Sequence, residues 1–144
     1  MDDLLKATCK LLGIKLDEVN VDLHFVSADE IRKLNLLHRN KDMVTDVLSF
    51  PLLSLRAGQV PTAENFPHEV DPDTGKVQLG DIVICSEVAA EQAKKNQRTM
   101  DDEVAFLYVH ALLHLLGYVH ETEDELDYMH ELTCKVLQNS AIII

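Results

Sequence analysis

Residues Val109–Glu125 read VHALLHLLGYVHETEDE and hold three of the chain's seven histidines, His110, His114 and His120. An α-helix completes a turn in about 3.6 residues, so side chains four apart stand one above the other on one face. His110 and His114 are such a pair. Gly117 comes three residues later. A glycine there accepts the left-handed conformation that ends a helix, so the chain can double back and bring His120 toward the first two. Three converging imidazoles can hold a divalent ion and leave a fourth tetrahedral position open, as catalytic rather than structural zinc sites do. The helix bearing the first two is apolar almost all round, through Val104, Ala105, Leu107, Leu112, Leu113, Leu115 and Leu116. Such a helix is a buried, central one, and the rest of the fold must wrap it.

One histidine on an apolar face is usually a satisfied core residue, and two at four-residue spacing recur by chance. The third, placed after a helix-ending glycine, carries the information. The spacing H-x3-H-x2-G-x2-H matches the metzincin pattern except at Ala111, where a metalloprotease has the glutamate that serves as general base. Peptide hydrolysis is therefore disfavoured.

Outward from this helix the signals alternate. Residues 2–12 space Leu4, Leu5, Leu11 and Leu12 as a helix ended by Gly13. From Asn20 to Ser27, Val21, Leu23 and Phe25 alternate with Asp22 and His24, a half-buried strand in which His24 faces solvent or a covering loop. Ser27 and Glu30 form a capping box for a helix that turns Ile31, Leu34 and Leu37 inward. Arg39 to Asp42 breaks that helix, and Thr45 to Phe50 is a second strand stopped at Pro51. Periodicity is lost over 52–76, where Pro61, Pro67 and Pro72 cluster; the stretch is either a cover over a site or a surface insertion. His68 within it reads as non-ligating. Val77 to Cys85 is a third strand, with Gly80 marking a bulge or close backbone approach. Ser86 caps a helix to about Gln97, whose basic end (Lys94, Lys95, Arg98) complements the helix dipole or meets a phosphate backbone. Thr99 or Asp101 opens the histidine helix. Thr122 with Glu125 caps a last helix to about Gln138 with Met129 and Leu132 inward, before the apolar tail Ile142-Ile143-Ile144. This order defines an α+β domain on a small mixed sheet.

At 144 residues the chain fits one domain with a substantial core, and 47% hydrophobic content excludes disorder. Cys9, Cys85 and Cys134 form neither a disulfide framework nor a cysteine zinc site, and they suit a reducing cytoplasm. The start MDDLLK lacks the basic region of a signal peptide, and no apolar run approaches a membrane span, so no membrane partner is expected. A net charge of −12 disfavours nonspecific phosphate binding, so any nucleic-acid contact must be local.

The histidine stretch resembles the signature of the YbeY family, bacterial metal-dependent endoribonucleases also called rRNA maturation factors. Two further segments match in order: His38-Arg39-Asn40-Lys41 leading to Thr45-Asp46-Val47-Leu48-Ser49-Phe50-Pro51, and Leu79-Gly80-Asp81-Ile82-Val83-Ile84. Nearly the whole of residues 1–144 is covered, as one domain. Ala111 and Val119 depart from the family's Gly and Asp at positions that are not ligands. The resemblance implies a four-stranded mixed sheet packed with about five helices, the histidine helix central, and so one further strand within 52–76. It also implies cleavage of single-stranded RNA in ribosomal RNA maturation (the 3′ end of 16S) and ribosome quality control. The expected partners are an rRNA precursor and a ribosomal subunit or ribosomal protein, with no DNA. An assembly factor with a mainly structural metal and no turnover is the alternative.

The implied centre has His110, His114 and His120 on one ion. Zinc is the expected ion, with another imidazole-preferring divalent metal as the alternative. Ala111 cannot accept a proton, which leaves the base to a carboxylate elsewhere, Asp46 or Asp81, or to the substrate. The family places an arginine from the segment before the second strand in the cleft, and Arg39 matches it. Arginine offers planar donors that stay charged against a phosphodiester. Lys41 and Arg32 are weaker candidates for guiding RNA.

Overall fold

Serine or threonine caps open three of the helices and glycine or asparagine closes most of them, and these stops set the lengths of the elements. The computed structural model describes residues 2–140, so the apolar tail at 142–144 lies outside the described residues. The elements are α1 (Asp2–Leu12), β1 (Val19–Val26), α2 (Ala28–Arg39), β2 (Val47–Pro51), β3 (Val77–Cys85), α3 (Ser86–Lys95), α4 (Met100–Leu115) and α5 (Glu123–Asn139). Gly13 ends α1 at φ +71°. Both capping boxes form, Ser27 with Glu30 before α2 and Thr122 with Glu125 before α5. Thr99 caps α4 by accepting from the Asp102 amide. α3 departs from expectation: Ser86 is its first residue, and Cys85 precedes it without a side-chain cap.

The sheet is mixed, in the order β1-β3-β2, with β1 parallel and β2 antiparallel to β3. It has three strands among the described residues, so the expected fourth strand is corrected. The 52–76 segment holds instead a short 3-10 turn at Pro67–Glu69 and an isolated bridge between Val70 and Val77. Pro61, Pro67 and Pro72 each remove a backbone donor that a ladder would need. The segment is no loose insertion either. Leu53 is buried, and Leu55, Val60, Ala63, Phe66 and Val70 pack against the main core.

β3 is buried along most of its length, as the middle strand must be. Asn20 pairs with Gln78 but Asp22 with Asp81, so β3 carries one extra residue at Leu79-Gly80. A β-carbon on Gly80 would overlap the Phe50 carbonyl oxygen, so bulge and close approach coincide. On α2, Ile31 and Asn35 are buried, whereas Leu37 is 75% exposed, against the expectation that it turns inward. Two turns on from Ile31 is position 38, not 37, and His38, though exposed, is the residue that meets Phe50, at 5.0 Å between ring centres.

α4 runs through the middle of the core and touches β2, β3, α1, α3 and α5. Ten of its sixteen residues are buried, among them Val109, Leu112 and Leu113 at 0% exposure. Met129 and Leu132 face it from α5, as the pattern requires. No helix among the described residues is long and apolar enough to cross a membrane.

Candidate metal centre

α4 presents His110 and His114 from its last turns, and the reversal at its C-terminal end decides where His120 goes. Gly117 takes φ +95°. Its amide donates to the His114 carbonyl and the Tyr118 amide to the Leu113 carbonyl, both at 3.0 Å. This is a Schellman stop, which reverses the chain within two residues. His120 thereby returns to the face it left. One ligating atom from each of the three imidazoles lies within 4.8 Å of the others. His110 and His114 place their Nε2 atoms 3.2 Å apart, and the His120 ring centre is 5.6 and 4.7 Å from theirs.

Proton affinity depends on this crowding. The His114 pKa is pushed down to about 4, first by burial, then by His110 and His120 and by Arg39, with the Tyr118 main chain opposing. His110 is also lowered, by burial first and His120 second, while Asp46 pulls the other way. Both rings are therefore neutral at pH 7, with lone pairs free for an ion, and His120 stands exposed at the rim. Three imidazole nitrogens at this spacing, open on one side, fit a divalent transition metal.

The triad forms one wall of a cleft of about 500 Å³, together with Phe106, Leu107 and Ala111. The end of α2 and strand β2 supply the other wall, through Arg39, Thr45, Asp46, Val47 and Ser49. Asp46 is the one carboxylate lining it. Its Oδ1 accepts from the Val47 amide at 2.8 Å and from Thr45 Oγ1 at 3.3 Å, and its Oδ2 accepts from Gln92 Nε2 at 3.3 Å. Asp81 is elsewhere. It meets His24 at 3.0 Å and lines a second, mostly apolar cleft between α2 and the sheet. Arg32 is engaged by both carboxylate oxygens of Asp42, at 2.6 and 3.2 Å, away from the metal cleft. Lys41 and His68 do not line it either.

Two groups near the cleft escape a reading by motif. Phe106 stacks nearly parallel to His110, at 14° with ring centres 6.3 Å apart. His130 of α5 lies 6.2 Å from Phe106 and bonds Cys134 Sγ at 3.6 Å. Phe106 is four residues before His110, so helical spacing alone puts it on the ligand face. His130 is brought in by tertiary packing, and no local spacing marks it.

The architecture and cleft define an α+β protein with a three-histidine centre that could hold a metal. The family model described as "Endoribonuclease YbeY" matches residues 1–141. Proteins of that name are similar to this chain in Thermoanaerobacter sp. (46% identity over 118 residues, covering 81% of this chain and 70% of the relative). They are similar also in Heliobacterium modesticaldum (37% over 142 residues, 99% and 82%) and Bartonella quintana (36% over 138 residues, 96% and 78%). A solution structure of a Thermotoga maritima protein superposes with a TM-score of 0.54 at 25% identity, covering 96% of this chain and 81% of that one. The chain belongs to the YbeY endoribonuclease family.

Proposed function

We propose that the whole chain acts as one metallo-endoribonuclease domain that cuts single-stranded RNA, with His110, His114 and His120 as metal ligands and Arg39 on the scissile phosphate. The observation that carries this is the placement of Arg39 in the same cleft as the triad, close enough for its charge to depress His114. The expected ion is zinc, and a bound ion supplies Lewis acidity toward water and phosphoryl oxygens. Arg39 adds fixed donors to the nonbridging oxygens, where charge grows during attack. Asp46 holds the β2 wall through three hydrogen bonds and is the carboxylate of this chain nearest in role to a proton acceptor; Ala111 rules out the metalloprotease pattern. Exposed His120 and the open side of the cleft leave the centre accessible to an RNA strand.

The substrate in the cell, on this reading, is a ribosomal RNA precursor at the 3′ end of 16S, in maturation and ribosome quality control. A ribosomal subunit or ribosomal protein brings the chain there, in the cytoplasm, and DNA is not a partner. The net charge of −12 supports recruitment by a protein partner over general attraction to RNA.

The test is cleavage of a single-stranded ribosomal RNA fragment by metal-quantified protein, wild type beside Arg39→Ala. Removal of one such donor is expected to cost roughly 100-fold or more in rate at unchanged metal content. Equal, weak cleavage by both would favour the alternative, an assembly factor whose metal is structural.

A further inference from the structure

Arg98, Phe106 and His130 build an aromatic ledge beside the triad that metal binding does not require. Phe106 lines the cleft, half-buried, with its ring nearly parallel to that of His110. The Arg98 guanidinium lies over the Phe106 ring, 5.3 Å from its centre. It is held there by Glu103, whose carboxylate is 3% exposed and accepts from Arg98 Nη1 at 3.2 Å. His130 stands beside the ring, its centre 6.2 Å away and its plane tilted 59°. An arginine tied to a buried carboxylate is a poor phosphate clamp, because its charge is already matched. Its effect is to hold the ring's position and to add a cationic contact. A ring fixed in this way is a surface on which an unpaired base stacks, and stacking tolerates any base because every base has a π-face.

We propose that Phe106 is the stacking platform for one RNA base next to the cleaved linkage, with Arg98 and Glu103 as positioning residues. This rests on the endoribonuclease reading above and deepens it: the ledge selects unpaired nucleotides without selecting sequence. A duplex cannot offer the face of an internal base to Phe106, so the preference for single strands arises here.

The experiment measures binding of a labelled single-stranded RNA by anisotropy, with cleavage and metal content recorded for each protein. Phe106→Leu should weaken binding roughly 5- to 150-fold, the range of one lost base–aromatic stack. Phe106→Tyr, which keeps the ring, should bind like wild type. An abasic scan supplies the second arm. One abasic position should weaken wild-type binding, and the same lesion should cost nothing in Phe106→Leu. If wild type binds and cleaves while Phe106→Leu binds equally well, the platform is wrong and the nuclease reading stands. Should Phe106→Leu lose its metal, the wild-type scan decides, and a flat scan overturns the proposal. Wild type that neither binds nor cleaves RNA would sink both readings.

Discussion

Gly117 and Leu55 meet backbone to backbone: a β-carbon on Gly117 would stand 2.6 Å from the Leu55 carbonyl carbon and overlap its oxygen. The 52–66 stretch thus presses on the turn that returns His120, and Gly58 donates a main-chain hydrogen bond to the neighbouring Tyr118 hydroxyl. Gly117→Ala must relieve both this overlap and φ +95°. The left-handed backbone alone costs about 1–2 kcal/mol for a residue with a β-carbon. Metal affinity is expected to fall more than stability, since the turn can shift without unfolding α4. Metal titration beside thermal unfolding checks this, and a drop in melting temperature with unchanged affinity would contradict it.

Protonation of the triad gives the metal-free protein an acid-sensitive stability. The folded His114 pKa, about 4, lies below the ordinary 6.5. Between these values the unfolded chain binds more protons, so the fold is weakened as pH falls through that window. The contribution is complete above about 6.5 and lost near 4, and its size is on the order of 2 kcal/mol after allowance for partial exposure. Denaturant titrations of metal-free protein at pH 7 and 4.5 should show the loss, and His114→Asn should flatten the difference.

Arg98 and Glu103 form the most buried ion pair among the described residues, with side chains 25% and 3% exposed. Arg98→Ala leaves a buried carboxylate without its partner and should cost about 2–4 kcal/mol. Glu103→Gln, which keeps a hydrogen-bonding oxygen, should cost less. A double-mutant cycle in urea gives the coupling. Additive effects would show that the pair contributes nothing as a pair.

Arg32 offers the contrast to Arg39. It is exposed and engaged by Asp42, whose carboxyl is held below its usual range by that arginine. Arg32→Ala should leave RNA cleavage unchanged under conditions where Arg39→Ala abolishes most of it. Equal losses in the two variants would remove the special role of Arg39.

The features legible along the chain are those encoded locally. Ser27 with Glu30, Thr122 with Glu125 and the apolar circumference of α4 each announce themselves within a few residues, and all three form. The convergence of the histidines is also legible, because a Schellman stop at Gly117 is itself local. Relations between distant segments are not. Asp46 and Asp81 are equivalent as candidates until the antiparallel pairing of β2 with β3 puts them in different clefts. Leu37 falls on the outer side of α2 because one residue of helical phase separates it from His38. The fourth strand is expected from resemblance alone, in a stretch whose prolines argue against a ladder.

The three imidazoles differ in what holds them in place. His110 and His114 share one helix, so any state of the chain in which α4 is helical already has a two-toothed chelate. His120 follows the Gly117 turn, against which the Leu55 carbonyl packs. The position of the third imidazole therefore depends on a segment some sixty residues upstream. The first two ligands thus rest on one helix, whereas the third rests on a turn braced from a distant part of the chain.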